Sequence, residues 1–324
     1  MKGIAIINKG EQPTYVEDFT NPVANSENQV EVLMKAVALK HLDKMRANGK
    51  HYSAQDENWE PKIVGGDGVG ILADGKRVYG LGTQGTMAEK SIFDRKTLVA
   101  IPDNLDDATA AALPNGVMGS AMALRFRANM RPGSTVLING ATGFTGAIAV
   151  QLAKYYGAKK VIATGRNEIA LRKLKTIGAD EVISLKQADS EVISQLKDMH
   201  QLTPIDIVLD YLWGHPAELI LSALKGNGAF THRTCYVTIG EMSGDKILLP
   251  SAVLRSTDLQ ISGSGLGSWT ANEIEILLKE ILPEVLQLSA EGKLKVEIET
   301  FNMKDIESIW NQEASNGRRL VVLM

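Results

Sequence analysis

The sequence predicts an α/β fold in which a doubly wound parallel sheet is inserted in a β-rich domain. In the middle of the chain, short apolar runs alternate with helical patterns, a rhythm typical of parallel sheets covered by helices. The first part instead gives short strand candidates separated by Gly, Asn, Asp and Pro turns. We therefore expect a β-rich domain in residues 1–118, the parallel-sheet domain in 119–265, and a return segment in 266–324 that completes the first domain.

One stretch, residues 134–167, organises the middle domain. Thr135 to Ile138 is a short apolar run of the kind that a buried parallel strand needs. A turn of small residues follows, then a helical pattern with an apolar face, and Lys160 to Thr164 is a second apolar run. This order of strand, glycine turn, helix and strand has about the ~30 residues expected of a βαβ unit.

The turn of this unit resembles a phosphate-binding loop with one departure. It contains, in order, Ala141, Thr142, Gly143, Phe144, Thr145 and Gly146, so alanine stands at the first glycine position of G-x-G-x-x-G. Gly143 would let the backbone approach a pyrophosphate, and Gly146 would let the helix pack closely on the sheet. The amides at the helix start would hold the phosphates. Any tight strand-to-helix turn can use such glycines, but with the strand before and the helix after, we predict dinucleotide binding.

The end of the second strand selects the nucleotide. An NAD site usually places Asp or Glu there, but this strand ends in Gly165, Arg166 and Asn167, with no acid before Glu168. The planar fork of Arg166 suits a 2′-phosphate, which predicts NADPH as the cofactor. The alternative is that Arg166 is an exposed residue that caps the next helix.

Composition bounds the class of protein. The 324 residues are 44% hydrophobic, enough for a large core in two domains, and the net charge of −3 gives no reason to expect nucleic acid or an anionic membrane as a partner. The single cysteine, Cys235, excludes an internal disulfide and a cysteine-rich zinc site. We see no signal-peptide pattern and no apolar stretch near the ~20 residues that span a bilayer, so we expect a soluble cytoplasmic protein.

Two further segments matter for the site. Leu105 to Leu113 is predicted to be a helix that breaks at the turn Asn115 to Ser120, and Ala121 to Met130 a second helix. Leu259 to Ser264 is predicted to be the last strand, at the edge of the parallel sheet.

The chain as a whole resembles the medium-chain dehydrogenase/reductase superfamily, in its zinc-independent quinone oxidoreductase-like (zeta-crystallin-like) branch. The residues that carry the resemblance are Asn139 to Lys154, the stretch Leu174 to Ile183 with its Gly178-Ala-Asp, Asp206 to Tyr211, Ala38 to Asp43 and Val64 to Val69. The resemblance implies a Rossmann sheet inserted in a GroES-like catalytic domain. It is specific for the fold, less so for the cofactor, and poor for the substrate, since the superfamily reduces many unrelated carbonyls, enones and quinones.

The resemblance also raises the question of a metal. Zinc members of the superfamily hold a catalytic metal with Cys and His, and often a second metal with four Cys; near residues 38–43 this chain offers only His41. A site from His41, His51 and Asp67 can be imagined, but without a thiolate we interpret these as solvated side chains. Lys40 stands where many relatives carry Asn; it is either a donor to a substrate carbonyl or, as we favour, a solvated surface lysine.

The resemblance implies a substrate cleft between the two domains. Its candidate lining residues are Lys40, His41, Tyr52, the turn at Asn115 and the loop Ser264 to Gly267. Asn115 would contact the nicotinamide or simply break its helix, and Tyr52 would contact substrate or merely pack. The main chain at Ile239 and Gly240 and at Gly265 and Leu266 would approach the nicotinamide, and Tyr211 and Leu212 would border the cofactor.

The predicted function is the zinc-independent transfer of a hydride from NADPH to a quinone or similar conjugated carbonyl. No essential acid–base side chain is expected, because a quinone that accepts a hydride gives a stabilised anion. The alternatives are an enone or alkenal double-bond reductase, a non-catalytic NADPH-binding sensor and, least favoured, a zinc alcohol dehydrogenase. The resemblance implies a homodimer through the edge strand at Leu259 to Ser264, with a tetramer left open.

Overall fold

The computed structural model describes residues 1–49, 59–228, 232–312 and 317–324. The chain divides into two compact units, one of residues 1–114 and 278–324, the other of residues 115–277. Within the described ranges, no helix is both long enough and apolar enough to cross a membrane.

Short strands and α-helices make up the described residues of the N-terminal part. Its strands are β1 (Gly3–Ile6), β2 (Thr14–Val16), β3 (Gln29–Leu39), β4 (Lys62–Ile63), β5 (Asp67–Ile71), β6 (Arg77–Leu81), β7 (Lys90–Asp94) and β8 (Val99–Ala100). Its helices are α1 (His41–Ala47) and α2 (Asp107–Met122), and α2 continues into a π-helical turn, Ala123–Arg127.

Strands and helices alternate in the central part. The strands are β9 (Thr135–Asn139), β10 (Lys160–Gly165), β11 (Glu181–Ser184), β12 (Ile207–Asp210), β13 (Thr234–Thr238) and β14 (Leu259–Gly263). The helices are α3 (Phe144–Tyr155), α4 (Glu168–Thr176), α5 (Asp189–Leu202), α6 (Gly214–Leu224), α7 (Ser251–Ser256) and α8 (Ala271–Ile276).

The last part of the chain starts in a continuous helical run. A π-helical turn, Leu277–Ile281, joins α8 to α9 (Leu282–Ala290). Strand β15 (Ile298–Asn302), the short helix α10 (Ile306–Ile309) and strand β16 (Arg319–Leu323) follow.

The unit of residues 115–277 contains the predicted parallel sheet. Its strand order is β11-β10-β9-β12-β13-β14, and every neighbouring pair is parallel. The order runs outward in one direction from β9 to β11 and in the other from β12 to β14, which is the order of a Rossmann sheet. The fold-class prediction is confirmed, and the topological switch point lies between β9 and β12.

The unit that holds both chain termini is built on antiparallel pairing. Its larger sheet has the order β15-β16-β3-β5-β6-β8, with β7 also paired to β3, and its smaller sheet has the order β2-β1-β4. Strand β16 pairs antiparallel with β3, so the return segment extends a sheet that the N-terminal part begins. The core packed here includes Ile4, Val37, Phe93, Trp310 and Val322. The limits of the two units, 114/115 and 277/278, both fall inside helical segments.

The prediction of a helix break at Asn115 to Ser120 is wrong. Helix α2 runs through this stretch with Pro114 inside it, and its π-helical turn ends at Arg127. The glycines that suggested a turn serve packing: a Cβ on Gly116 would lie 2.5 Å from Ile148 Cδ1 on α3. Burial of this helix therefore overrides the weak helix propensity of Gly and Pro.

Candidate functional site

The turn after β9 brings the backbone into a left-handed conformation. Gly140 has a φ of +84°, and a Cβ there would lie 2.8 Å from Leu212 Cγ. The next residue, Ala141, is buried, and its N–H donates to the Thr164 carbonyl on β10 at 2.8 Å. The glycine motif proposed from the sequence starts at Ala141 and leaves Gly140 out. Gly140 is nevertheless the glycine that the turn requires, because its backbone is left-handed.

The two glycines at the start of α3 have different surroundings: Gly143 has open space beside it, whereas Gly146 is packed against the turn. A Cβ on Gly143, the N-cap, would meet only the Gly140 carbonyl oxygen, at 4.0 Å. A Cβ on Gly146 would lie 2.6 Å from both Ala141 Cα and the Gly140 oxygen. Phe144 is buried, and Thr142 and Thr145 are half-buried. The exposed helix start, with its N–H groups and partial positive charge, fits a phosphate group.

The end of β10 lies against this turn. A Cβ on Gly165 would lie 2.3 Å from Thr142 Cγ2, so a larger residue there would displace the Thr142 side chain. Arg166 is exposed. The cap of α4 is Asn167, whose Oδ1 accepts from the Ala170 N–H at 3.0 Å, so the alternative in which Arg166 caps that helix is wrong.

Buried polar side chains join the strand ends beneath the turn. Asn139 Nδ2 donates to Asp210 Oδ1 at 2.7 Å, and the Thr164 hydroxyl donates to Asn139 Oδ1 at 2.7 Å. Asp210 Oδ2 accepts from the Tyr236 hydroxyl at 2.6 Å. Burial raises the pKa of the Asp210 carboxyl above its ordinary value, although these hydrogen bonds lower it. Sequence reasoning missed Asn139 and Tyr236; the signal was polar residues at or near the ends of apolar strands.

Asp210 also fixes the chain that follows β12. Its Oδ1 accepts from the N–H groups of Leu212 at 2.9 Å and Trp213 at 3.1 Å. The Tyr211 hydroxyl lies 3.0 Å from Ser120 Oγ on α2, and burial raises the pKa of Tyr211. The predicted cofactor-bordering residues Tyr211 and Leu212 are therefore held by buried contacts.

The ends of β13 and β14 complete the same edge of the sheet. The Asp210 carbonyl accepts from the N–H groups of Ile239 at 2.7 Å and Gly240 at 3.2 Å. A Cβ on Gly240 would lie 2.8 Å from the Tyr211 oxygen. Gly265 starts a short 3₁₀ turn, Leu266–Ser268, and both Gly265 and Leu266 are exposed. Because all these strands are parallel, the predicted cofactor residues share one sheet edge.

The predicted substrate residues belong to different units and take different environments. His41 is exposed at the first position of α1. Asn115 is half-buried inside α2, not in a turn. Tyr52 and His51 lie outside the described residues, and the predicted cleft stays a prediction.

Lys40 differs most from the sequence interpretation. It is only 3% exposed, so its interpretation as a solvated surface lysine is wrong. Its Nζ donates to Asp67 Oδ1 and, at 3.1 Å, to the Ala38 carbonyl, and lies 3.2 Å from Asp43 Oδ2. Asp67 Oδ2 accepts from the Tyr79 hydroxyl at 2.7 Å. We call Lys40, Asp43, Asp67 and Tyr79 the lysine cluster.

The lysine cluster keeps its ammonium charged. Burial acts to lower the pKa of Lys40, but the carboxylates of Asp43 and Asp67 outweigh it and raise that pKa above its ordinary value. Burial and the Asp67 carboxylate raise the pKa of Tyr79, which therefore stays a neutral donor. Burial also lowers the pKa of the nearby Arg319 to about 10.

Comparisons with known proteins agree with this architecture. Residues 145–283 match the family model described as zinc-binding dehydrogenase. A "Probable NADPH-dependent quinone reductase" of Emericella nidulans is 29% identical over 96% of both chains. The quinone oxidoreductase of Thermus thermophilus, whose crystal structures include a complex with NADPH, matches all of both chains with a TM-score of 0.76 and 25% identity. These likenesses support the resemblance of the chain to the medium-chain dehydrogenase/reductase superfamily, in its quinone oxidoreductase-like branch.

One further relative bears on the substrate. The chloroplastic NADPH-dependent alkenal/one oxidoreductase of Arabidopsis thaliana is 31% identical over 57% of this chain and 50% of its own length. The relatives of this chain therefore include proteins named for two kinds of acceptor.

The metal of the superfamily's zinc members does not fit the residues near Lys40. Across the described ranges, no group of three or more His, Cys, Asp and Glu side chains is placed to hold a metal. The carboxylates of Asp43 and Asp67 do converge, but on the Lys40 ammonium, with no thiolate or imidazole among the cluster's members. Structural and catalytic zinc sites draw on Cys and His first, so this donor set is wrong for zinc.

Proposed function

We propose that this protein is an NADPH-dependent oxidoreductase that transfers a hydride to a quinone or a similar conjugated carbonyl without zinc. The observation that carries the proposal is the sheet edge at the switch point, with an open helix start at Gly143 and an exposed Arg166 at the end of the neighbouring strand. The relatives in Emericella nidulans and Thermus thermophilus support it.

The choice of NADPH over NADH rests on Arg166. It follows Gly165, the last residue of β10, where an NAD site would carry an acid that bonds the ribose hydroxyls. The first acid, Glu168, lies in the exposed first turn of α4. The Leu185 N–H donates to the Gly165 carbonyl at 2.8 Å, so the exposed Lys186 follows close by and adds positive charge at this edge. A phosphate fits these charges better than a pair of hydroxyls.

The protein's part in the reaction is to bind, orient and exclude water. When bound, NADPH supplies a hydride from C4 of its nicotinamide. The open space beside Gly265 would let a flat ring lie close to the main chain, whereas Gly240 is packed against the Tyr211 carbonyl and holds the neighbouring strand ends together. Since a quinone that takes a hydride becomes an aromatic, resonance-stabilised anion, neither a Lewis acid nor an acid–base side chain has to polarise it first.

A second candidate function is the reduction of an enone or alkenal double bond. The alkenal/one oxidoreductase of Arabidopsis thaliana favours it. The same cofactor site would serve both reactions, and the acceptor decides between them.

The experiment that tests the proposal is to follow NADPH oxidation by absorbance with a panel of quinones and a matched panel of enones and alkenals, with and without a metal chelator. We expect turnover with quinones, weaker turnover with NADH, and no effect of the chelator. Faster turnover of alkenals would favour the second candidate. NADPH binding without oxidation by any acceptor would contradict both and favour a sensor.

The assembly and location are proposals of the same kind. Strand β14 is at the edge of the parallel sheet, and we propose that two copies pair through it to form a homodimer. Light scattering during gel filtration measures the oligomeric state directly; a monomer would contradict the proposal.

The cytoplasm is the proposed location, because the single Cys235 suits a reducing compartment.

A further inference from the structure

The lysine cluster is a buried site whose chemistry the proposed reaction does not use. Both carboxylates are almost fully buried, with Asp43 3% and Asp67 6% exposed. Two buried carboxylates and the Ala38 carbonyl place oxygen atoms around one point, as ligands do around a cation, and the Lys40 ammonium occupies that point.

The fold holds Lys40 in place from several sides. Lys40 is the N-cap of α1, and its backbone N–H donates to Asp43 Oδ2 at 3.0 Å. Asp67 is the first residue of β5, and its carbonyl accepts from the Thr86 hydroxyl at 3.0 Å. The Asp43 carboxylate therefore cannot turn away without losing its bond from the Lys40 backbone, and the Asp67 carboxylate cannot turn away without losing its bond from the Tyr79 hydroxyl.

The charges of the cluster balance without any added ion. The positive charges of Lys40 and of the nearby, half-buried Arg319 offset the negative charges of Asp43 and Asp67. A divalent cation between the two carboxylates would lie beside the ammonium in a buried environment, where repulsion between like charges is strong.

We propose that the ammonium of Lys40 is a built-in cation that occupies the carboxylate pair Asp43 and Asp67 and excludes divalent metals from it. Lys40 then explains in physical terms why a chain that matches a zinc-binding dehydrogenase model would work without zinc. The inference extends the zinc-free part of the proposed function, but its readout is metal binding, so the two proposals can fail separately.

The test removes the ammonium and measures metal uptake. In Lys40→Cys, a thiolate joins the two carboxylates, a donor set that Zn²⁺ and Co²⁺ accept. We expect this variant to bind about one Co²⁺ per chain with a thiolate-to-metal absorption band, and to gain thermal stability with added Zn²⁺. The double variant Lys40→Cys/Asp67→Asn should lose both signals.

Controls keep the proposal testable. Lys40→Arg preserves the positive charge and should bind no Co²⁺ above the wild-type background, which also accounts for Cys235 and surface histidines. A folded Lys40→Cys protein that takes up no metal would overturn the proposal, because the carboxylates would then not be a latent cation site. If Lys40→Cys does not fold, equilibrium dialysis of the wild-type protein and Asp67→Asn against Zn²⁺ decides. Equal background levels support the proposal, whereas wild-type binding of about one zinc per chain that Asp67→Asn abolishes overturns it.

Discussion

The side-chain amide of Asn139 donates to Asp210 Oδ1 at 2.7 Å, and this bond joins the ends of β9 and β12, the two strands at the switch point of the parallel sheet. Asp210 receives three more hydrogen bonds, from the Tyr236 hydroxyl and from the N–H groups of Leu212 and Trp213. The floor of the candidate cofactor site is therefore one buried, fully bonded carboxylate.

Replacing this carboxylate should damage both stability and binding. In Asp210→Ala, two side-chain donors and two backbone N–H groups lose a buried acceptor, and we expect a loss of about 3 kcal/mol or more in urea denaturation together with weaker NADPH binding. Tyr236→Phe removes only one donor and should cost about 1 kcal/mol with binding intact. Similar losses in the two variants would argue against Asp210 as the centre of the network.

The two glycines at the start of α3 should respond differently to alanine. In Gly143→Ala, the new Cβ meets nothing closer than 4.0 Å, so the protein should keep its thermal stability but bind NADPH at least ~10-fold more weakly, because the methyl group occupies the phosphate approach. In Gly146→Ala, the Cβ would lie 2.6 Å from the backbone of the turn, and stability itself should fall. Calorimetric measurement of both thermal stability and NADPH affinity distinguishes the two variants. A Gly143→Ala protein with wild-type affinity for NADPH would mean that the phosphates bind elsewhere.

Trp213 has a strained backbone, with φ of +53° and ψ of −158°, a region that side chains rarely adopt. We expect Trp213→Gly to be more stable than Trp213→Ala by about 1–2 kcal/mol, the reverse of their usual order, because only Gly relieves the strain. Both variants lose the edge-on contact with Tyr236, in which the ring centroids are 6.2 Å apart. The loss of this contact therefore does not contribute to the difference in stability between them. Equal thermal stability would mean that the strain is absent in solution.

The ion pair of Arg127 and Glu273 should make stability depend on pH. Two hydrogen bonds of 2.8 Å join the side chains, and the Arg127 guanidinium lowers the pKa of Glu273 from 4.5 to about 2. A folded-state pKa below the unfolded value contributes stability above pH 4.5 that is lost as the pH falls towards 2.

Glu273→Gln should therefore be less stable than the wild type by about 1 kcal/mol at neutral pH, a modest value for a pair near solvent. The difference should shrink when denaturation is repeated at decreasing pH. The exposed Glu280→Gln makes the same charge change as a control and should show little difference at any pH. A Glu273→Gln difference that stays constant with pH would exclude the ion pair as its cause.

The sequence predicts the parts of this fold that depend on local pattern. The apolar runs at Thr135 to Ile138 and Lys160 to Thr164 and the glycines between them specify a βαβ unit, because a buried parallel strand and a tight turn each have a local signature. The doubly wound parallel sheet followed from the alternation of apolar runs and helical patterns in the rest of the middle domain. Arg166 was visible for the same reason: it stands next to a strand end.

The errors lie where a residue's environment depends on distant parts of the chain. Lys40 is buried because Asp67, 27 residues away, pairs with it, and no local pattern marks such a partner. Gly116 and Gly119 in the stretch Asn115 to Ser120 suggested a turn, but contact of Gly116 with Ile148 keeps the helix continuous. Asn139 and Asp210 meet only because β9 and β12 are neighbours in the sheet, across 71 residues of sequence.

The most direct test of the central claim is a fluorescence titration of the ligand-free protein with NADPH and NADH, repeated on Arg166→Ala and on Arg172→Ala, an exposed arginine of α4 that serves as a matched control. We predict that NADPH binds at least ~10-fold more tightly than NADH, that Arg166→Ala abolishes this preference, and that Arg172→Ala retains it. Equal affinities for the two nucleotides in the wild-type protein would contradict the 2′-phosphate site at Arg166, and the absence of binding to either would contradict the cofactor site itself.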